Sequence, residues 1–158
     1  MSADAHRERL AAELERHDLL SWLDVSAVEM EQGRVVLELP FDEKFANIAS
    51  GTVHGGITAT IIDTAAGFAL RTTFDSPTEA TLTTTDLNTR FVRPATGDVR
   101  VEAEVVRAGT TMGVTECEAT TVHDGEPKVV ATGGATYRLF RDAENDRHPA
   151  EETTEGSR

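Results

Sequence analysis

The chain has 158 residues, a formal net charge of −13 and 39% hydrophobic residues. That length gives one domain with a real core, and no apolar run reaches the ~20 residues that a membrane-spanning helix needs. The acidic excess argues against a nucleic-acid partner, since no basic patch stands against the overall field, and the single cysteine excludes a disulfide framework or a multi-cysteine zinc site.

Residues 1–8 have no apolar core of the signal-peptide type, so the chain is expected in the cytoplasm. Leu10, Ala11 and Leu14 stand at helical spacing among charged residues, which predicts an amphipathic helix over about 3–20. Strands are predicted at 25–30 and 34–39, with Gly33 turning between them. Pro40 ends the second strand, and a loop runs through Phe41, Phe45, Asn47 and Gly51 to a long helix over about 54–72.

Beyond Pro77 the pattern becomes strand-rich, with Thr- and Val-heavy runs at 81–91, 98–108, 111–123 and 127–139. Their breaks are Pro94-Ala95-Thr96-Gly97, Gly109 and Asp124-Gly125, and short turns between long strands imply an antiparallel sheet. Cys117 alternates with Glu116 and Glu118 along one of these strands and reads as a buried structural thiol. The division is therefore 1–24 as helix and lead-in, 25–140 as the main domain, and 141–158 as a charged, disordered tail. The long helix is apolar around much of its circumference, so the sheet must wrap it. The fold class is α+β, a curved antiparallel sheet around a long central helix.

That helix carries the chemistry. It opens on Gly55-Gly56, whose bare N–H groups suit an oxygen bearing negative charge. Asp63 lies inside it, and a carboxylate among Ile, Thr and Ala residues costs stability unless it has a partner or a task. Ala59, Thr60, Ala66 and Gly67, three and four positions away on its face, are all small and leave room for a substrate or a partner backbone. Gly55 and Asp63 are eight residues apart, roughly 12 Å along the axis. One helix therefore cannot bring both to a single carbonyl, whereas two copies packed antiparallel about a two-fold axis can.

The run Asn47…Gly51-Thr52-Val53-His54-Gly55-Gly56…Asp63, followed by Asp86-Leu87-Asn88-Thr89-Arg90-Phe91-Val92-Arg93-Pro94-Ala95…Gly97, resembles the hotdog-fold acyl-CoA thioesterases of the phenylacetate-pathway (PaaI-like) branch. The resemblance covers roughly residues 25–140 and implies a thioester hydrolase with sites at a subunit interface. In such a site the Gly55 N–H, with Gly56 beside it, stabilises the oxyanion of the tetrahedral intermediate. Asp63 of the opposite subunit acts as general base on water or attacks to give an anhydride. Thr84, flanked by Thr83 and Thr85, matches a hydroxyl residue that helps place the water. Asn47 and His54 hold the loop ahead of the helix, with Asn47 near the thioester. In many relatives the Asn precedes the His by six residues; here the interval is seven and Ile48 takes the sixth place.

Coenzyme A brings several negative charges, for which Arg90, Arg93 and Arg107 are candidate phosphate contacts. It enters as part of the substrate, so no cofactor is expected. No metal is expected either, because His54 has no second His or Cys at ligand spacing. The expected partners are acyl-CoA and a second copy of the chain, as a dimer or dimer of dimers. Two other readings are a non-catalytic acyl-CoA-sensing module and a hydratase or dehydratase on the same fold. No helix-turn-helix segment is appended for the first, and for the second His54 lies about 13 Å from Asp63 along its own helix. Positive charge is almost all arginine, with Lys44 and Lys128 the only lysines. An acidic surface of this kind resembles proteins of salt-rich cytoplasms.

Overall fold

The computed structural model describes residues 2–141. In chain order these form α1 (Ala3–Arg16), α2 (Asp18–Trp22), β1 (Ser26–Glu31), β2 (Arg34–Leu39), α3 (Gly55–Arg71), β3 (Thr81–Phe91), β4 (Val99–Ala108), β5 (Met112–His123) and β6 (Glu126–Phe140). No helix among them is long and apolar enough to cross a membrane.

The single N-terminal helix expected over 3–20 is two. His17 takes an extended conformation (φ −84°, ψ 118°), ends α1 and caps α2 by accepting the Leu20 N–H on Nδ1. The break re-aims the chain so that Leu10 and Leu14 of α1 and then Leu20 and Leu23 all reach the core. Glu13 of α1 makes a two-pronged ion pair to Arg71 of α3, at 2.7 and 3.0 Å, which ties the N-terminal helix to the central one.

The six strands form one antiparallel sheet in the order β1-β2-β4-β5-β6-β3. Hairpins join β1 to β2 and β5 to β6 through turns whose residues have positive φ, Gly33 at 80° in the first and Asp124-Gly125 at 51° and 77° in the second. β3 and β4 do not form a hairpin. β3 pairs with β6 at one edge while β4 lies between β2 and β5, so residues 92–98 are a crossing segment. That segment holds the start of α3 in place, because Val53 N–H donates to the Ala95 carbonyl at 3.0 Å.

One face of the sheet is apolar by alternation. Val35, Leu37 and Leu39 of β2, Val99 and Val101 of β4, and Tyr137 and Leu139 of β6 are all buried. β2 through β6 pack on α3, whose Ile61, Ile62, Ala65, Ala69 and Leu70 are wholly buried, so the sheet does wrap the helix. At Gly133 the neighbouring strand comes so close that a Cβ would lie 1.9 Å from the Asn88 carbonyl oxygen. Nearby, the Thr115 hydroxyl substitutes for ladder bonds by donating to the Ala135 carbonyl at 3.0 Å and accepting its N–H at 3.1 Å.

β3 carries a bulge. Thr84 pairs with Tyr137 and Asp86 with Thr136, which leaves Thr85 as the extra residue. Arg141, grouped with the tail on sequence, is tied to the fold: its guanidinium donates to the Gly109 and Thr73 carbonyls and stacks over Phe74 at 4.2 Å. The rest of that tail lies outside the described residues.

Candidate active site

The N-terminus of α3 is built by the residues immediately before it. Asn47 and Thr52 close a short loop, with Asn47 N–H donating to the Thr52 carbonyl at 2.7 Å and Gly51 N–H to the Asn47 carbonyl at 2.8 Å. Gly51 takes a φ of 66°, which a side chain would resist. His54 N–H then donates to the Phe45 carbonyl, and its imidazole becomes the N-cap, with Nδ1 accepting the Gly56 N–H at 2.9 Å. The cap consumes the Gly56 donor. The Gly55 N–H, by contrast, has no hydrogen-bond partner among the described residues. It opens into a depression of about 410 Å³ walled by Asn47, Val53, Phe91, Arg93 and Ala95. Phe91 sits over the glycine so closely that a Cβ there would lie 3.1 Å from its ring.

Asp63, two turns along the same helix, faces β3 and β6. Thr84 donates its hydroxyl to Asp63 Oδ1 at 2.8 Å. The bulge at Thr85 lies next to the residue that makes this contact. Of the three consecutive threonines only Thr84 reaches the carboxylate; Thr85 bonds the Thr136 carbonyl instead. From β6 the Tyr137 hydroxyl lies 2.5 Å from the same Oδ1 and 2.6 Å from the Asp63 main-chain carbonyl oxygen. Burial and the neighbouring carboxylate push the Tyr137 phenol far above its ordinary value, so it stays protonated.

The room expected beside the carboxylate has two uses. Ala66 is core, and Gly67 admits Tyr137, whose hydroxyl would lie 3.0 Å from a Cβ at that position. Asp63 borders a second depression, about 420 Å³, together with His17, Leu20, Phe68, Arg71 and Leu82. The two depressions have no lining residue in common.

Comparison with known proteins agrees with this fold. The profile of the Thioesterase superfamily matches residues 50–128. A candidate esterase of Halobacterium salinarum is 42% identical over 145 residues, covering 89% of this chain and 96% of that one. This chain belongs to the thioesterase superfamily. Human acyl-coenzyme A thioesterase 13 is 32% identical over 73% of this chain and 79% of its own length. Among solved structures, a thioesterase family protein from Silicibacter pomeroyi superposes with a TM-score of 0.80 at 28% identity, over 87% of this chain and 99% of that one. The PaaI protein of E. coli, from the phenylacetic acid degradation operon, shares the fold at a TM-score of 0.74 and 20% identity, covering 88% of this chain and 96% of its own. The fold is the hotdog fold of that superfamily.

Seen as a thioesterase-superfamily chain, the three candidate arginines part company. Arg93 lines the Gly55 depression and donates to the Val129 carbonyl at 2.7 Å. Arg90 lies on the opposite face of the sheet, with Asp86, Asn88 and Glu116 around it. Arg107 stands near the far end of β4, beside the Gly109 turn, where β5 meets the C-terminal end of α3. Asn47 borders the Gly55 depression, while its amide reaches the Thr52 hydroxyl at 3.4 Å. Cys117 is buried behind the helix with its thiol pushed up to about 12 by desolvation, an inert structural thiol.

Tyr137 is the residue that sequence reasoning missed. Its signal was present: on β6 it occupies the buried alternation Ala135-Tyr137-Leu139, and a hydroxyl at a core position needs a partner.

Proposed function

We propose that the chain hydrolyses acyl-CoA thioesters at sites formed between two copies, each combining the Gly55 N–H of one protomer with Asp63 of the other. The observation that carries this reading is the separation of the two groups. One helix presents at its start an N–H without a partner among the described residues, and a carboxylate eight residues on, in depressions with no common lining. A site using both needs a second helix running the other way. The exposed edge strand β3 supports self-association: it is 11 residues long, and Leu87, Phe91 and Val92 on and beside it are 42%, 53% and 55% exposed.

In this mechanism the thioester carbonyl oxygen points at Gly55 N–H, where the positive end of the helix dipole adds to the hydrogen bond. Gly56 serves the cap rather than the substrate. Asp63 takes a proton from water as the water attacks the carbonyl carbon, or itself attacks to form an anhydride that water then opens. In either route the C–S bond breaks and the thiolate of coenzyme A leaves. Arg93 is the arginine best placed for a coenzyme A phosphate, because it alone of the three borders the oxyanion end. The human thioesterase relative supports the substrate class.

Complementation tests the reading. Asp63→Asn removes the base or nucleophile and should cost about 10²–10⁴-fold in kcat. Gly55→Pro removes the N–H at the first helical position, where proline is tolerated, while its Cβ pushes the half-exposed Phe91 ring aside by a few tenths of an ångström, and it should cost about 10²–10³-fold. The preceding His54, at φ −58° and ψ 129°, already has the extended backbone that a following proline requires. Mixing the two dead variants after unfolding and refolding should restore about one quarter of wild-type activity, since half the dimers are mixed and each holds one intact site. No recovery, with mixed dimers verified by mass, would mean that the site lies within one chain.

A further inference from the structure

We infer that Tyr137 is a positioning residue that, with Thr84, fixes Asp63 Oδ1 and leaves Oδ2 as the oxygen that meets water or the acyl carbon. The inference rests on the reading of Asp63 as base or nucleophile and adds to it which oxygen acts and what holds it. An aspartate carboxylate turns easily about its last torsion, whose energy is broad and two-fold. Here two hydroxyls from two different strands converge on one oxygen, Thr84 at 2.8 Å and Tyr137 at 2.5 Å. Among the described residues no donor reaches Oδ2. The two carboxylate oxygens are thus made unequal.

Packing alone does not account for the phenol. The ring lies 5% exposed in a gap that Gly67 leaves open, and phenylalanine would fill the same space. What tyrosine adds is a buried hydroxyl, which is costly unless bonded. Its single proton is shared between the carboxylate and the Asp63 main-chain carbonyl, so it grips side chain and helix backbone together. The titratable groups that face Asp63 are Tyr137 on β6 and Cys117 on β5, with His17 before α2 and Arg71 on α3 lining the same depression.

Tyr137 is the only tyrosine in the chain, so growth on 3-fluorotyrosine substitutes this position alone with a more acidic, stronger donor of nearly the same shape. Acyl-CoA hydrolysis is measured for the native, fluorotyrosine and Tyr137→Phe proteins, with Asp63→Asn as control. Tyr137→Phe should lower kcat about tenfold to a hundredfold with KM within about twofold, the loss of one bond to a charged group. The fluorotyrosine protein, with the stronger donor on the same oxygen, should raise kcat, which gives the order phenylalanine, tyrosine, fluorotyrosine from slow to fast. A native kcat in Tyr137→Phe, a change in KM alone, or a reversed order overturns the inference. Should Tyr137→Phe fail to fold, the near-isosteric fluorotyrosine protein carries the test. If Asp63→Asn keeps its activity, the underlying mechanism falls; if Asp63→Asn is dead and Tyr137→Phe is normal, only the role of Tyr137 falls.

Discussion

The His54 imidazole is exposed, yet it decides which of two adjacent glycines stays available. By accepting the Gly56 N–H at 2.9 Å it satisfies the second donor of α3 and leaves the first open. A Cβ on Gly56 would lie 3.0 Å from that imidazole, so a side chain there would crowd the cap. His54→Ala should therefore cost about 1 kcal/mol, which for a chain of this size lowers Tm by about 2–4 °C. His54→Asn, which supplies another good capping acceptor, should recover most of that loss; equal melting of all three proteins in calorimetry would dismiss the cap. At this scale the sequence was partly legible. Gly55 and Asp63 stand out because glycines at a helix start and a carboxylate in an apolar helix are both locally anomalous. The division of labour between Gly55 and Gly56 was not visible, because it depends on which way the imidazole turns.

Among the elements, α1 is tied to the central helix by an ion pair. Glu13 and Arg71 are 34% and 15% exposed, and Arg71 also donates to the Pro77 carbonyl and lies over Phe68 at 5.1 Å. Such a half-buried, two-pronged pair should behave unlike an open surface bridge. A double-mutant cycle on Glu13→Gln and Arg71→Met, read by urea melts, should give a coupling of about 1–2 kcal/mol; additive losses would show that the helix is held by Leu10 and Leu14 alone. The strands were legible nearly to the residue, since Thr- and Val-rich alternation bounded by glycine turns is a local signal. The helix break at His17 and the course of β3 were not. Both are set by distant partners: the core that Leu20 and Leu23 must reach, and the β6 edge that β3 joins in place of β4.

For the whole molecule the charge is the dominant quantity, and the sheet concentrates it. On the outward side of β4 and β5, Glu102 stands opposite Glu118 and Glu104 opposite Glu116. Arg34 answers Glu102 and Glu29, and its guanidinium holds the Glu102 carboxyl below the usual carboxylate range. Like charges directly opposite across a sheet destabilise it, and here they add to a net charge of −13. Stability should therefore rise with potassium chloride and level off near 1 M, where screening acts over about 3 Å. Glu118→Lys should raise the low-salt Tm and reduce the salt response; a Tm indifferent to salt would remove electrostatic repulsion from the account.

Thr84 and Phe91 are seven positions apart on one strand, an odd interval that regular alternation would send to opposite faces. Both nevertheless address α3, one at its carboxylate and the other over its opening glycine. The unmatched Thr85 between them makes up the difference. A single strand thereby serves both the start and the middle of the helix, out of phase in the letters of the chain and in phase in space. The position of the hydroxyl against the carboxylate and of the aromatic cover over the bare N–H are then one property, inherited or lost together with one residue of register.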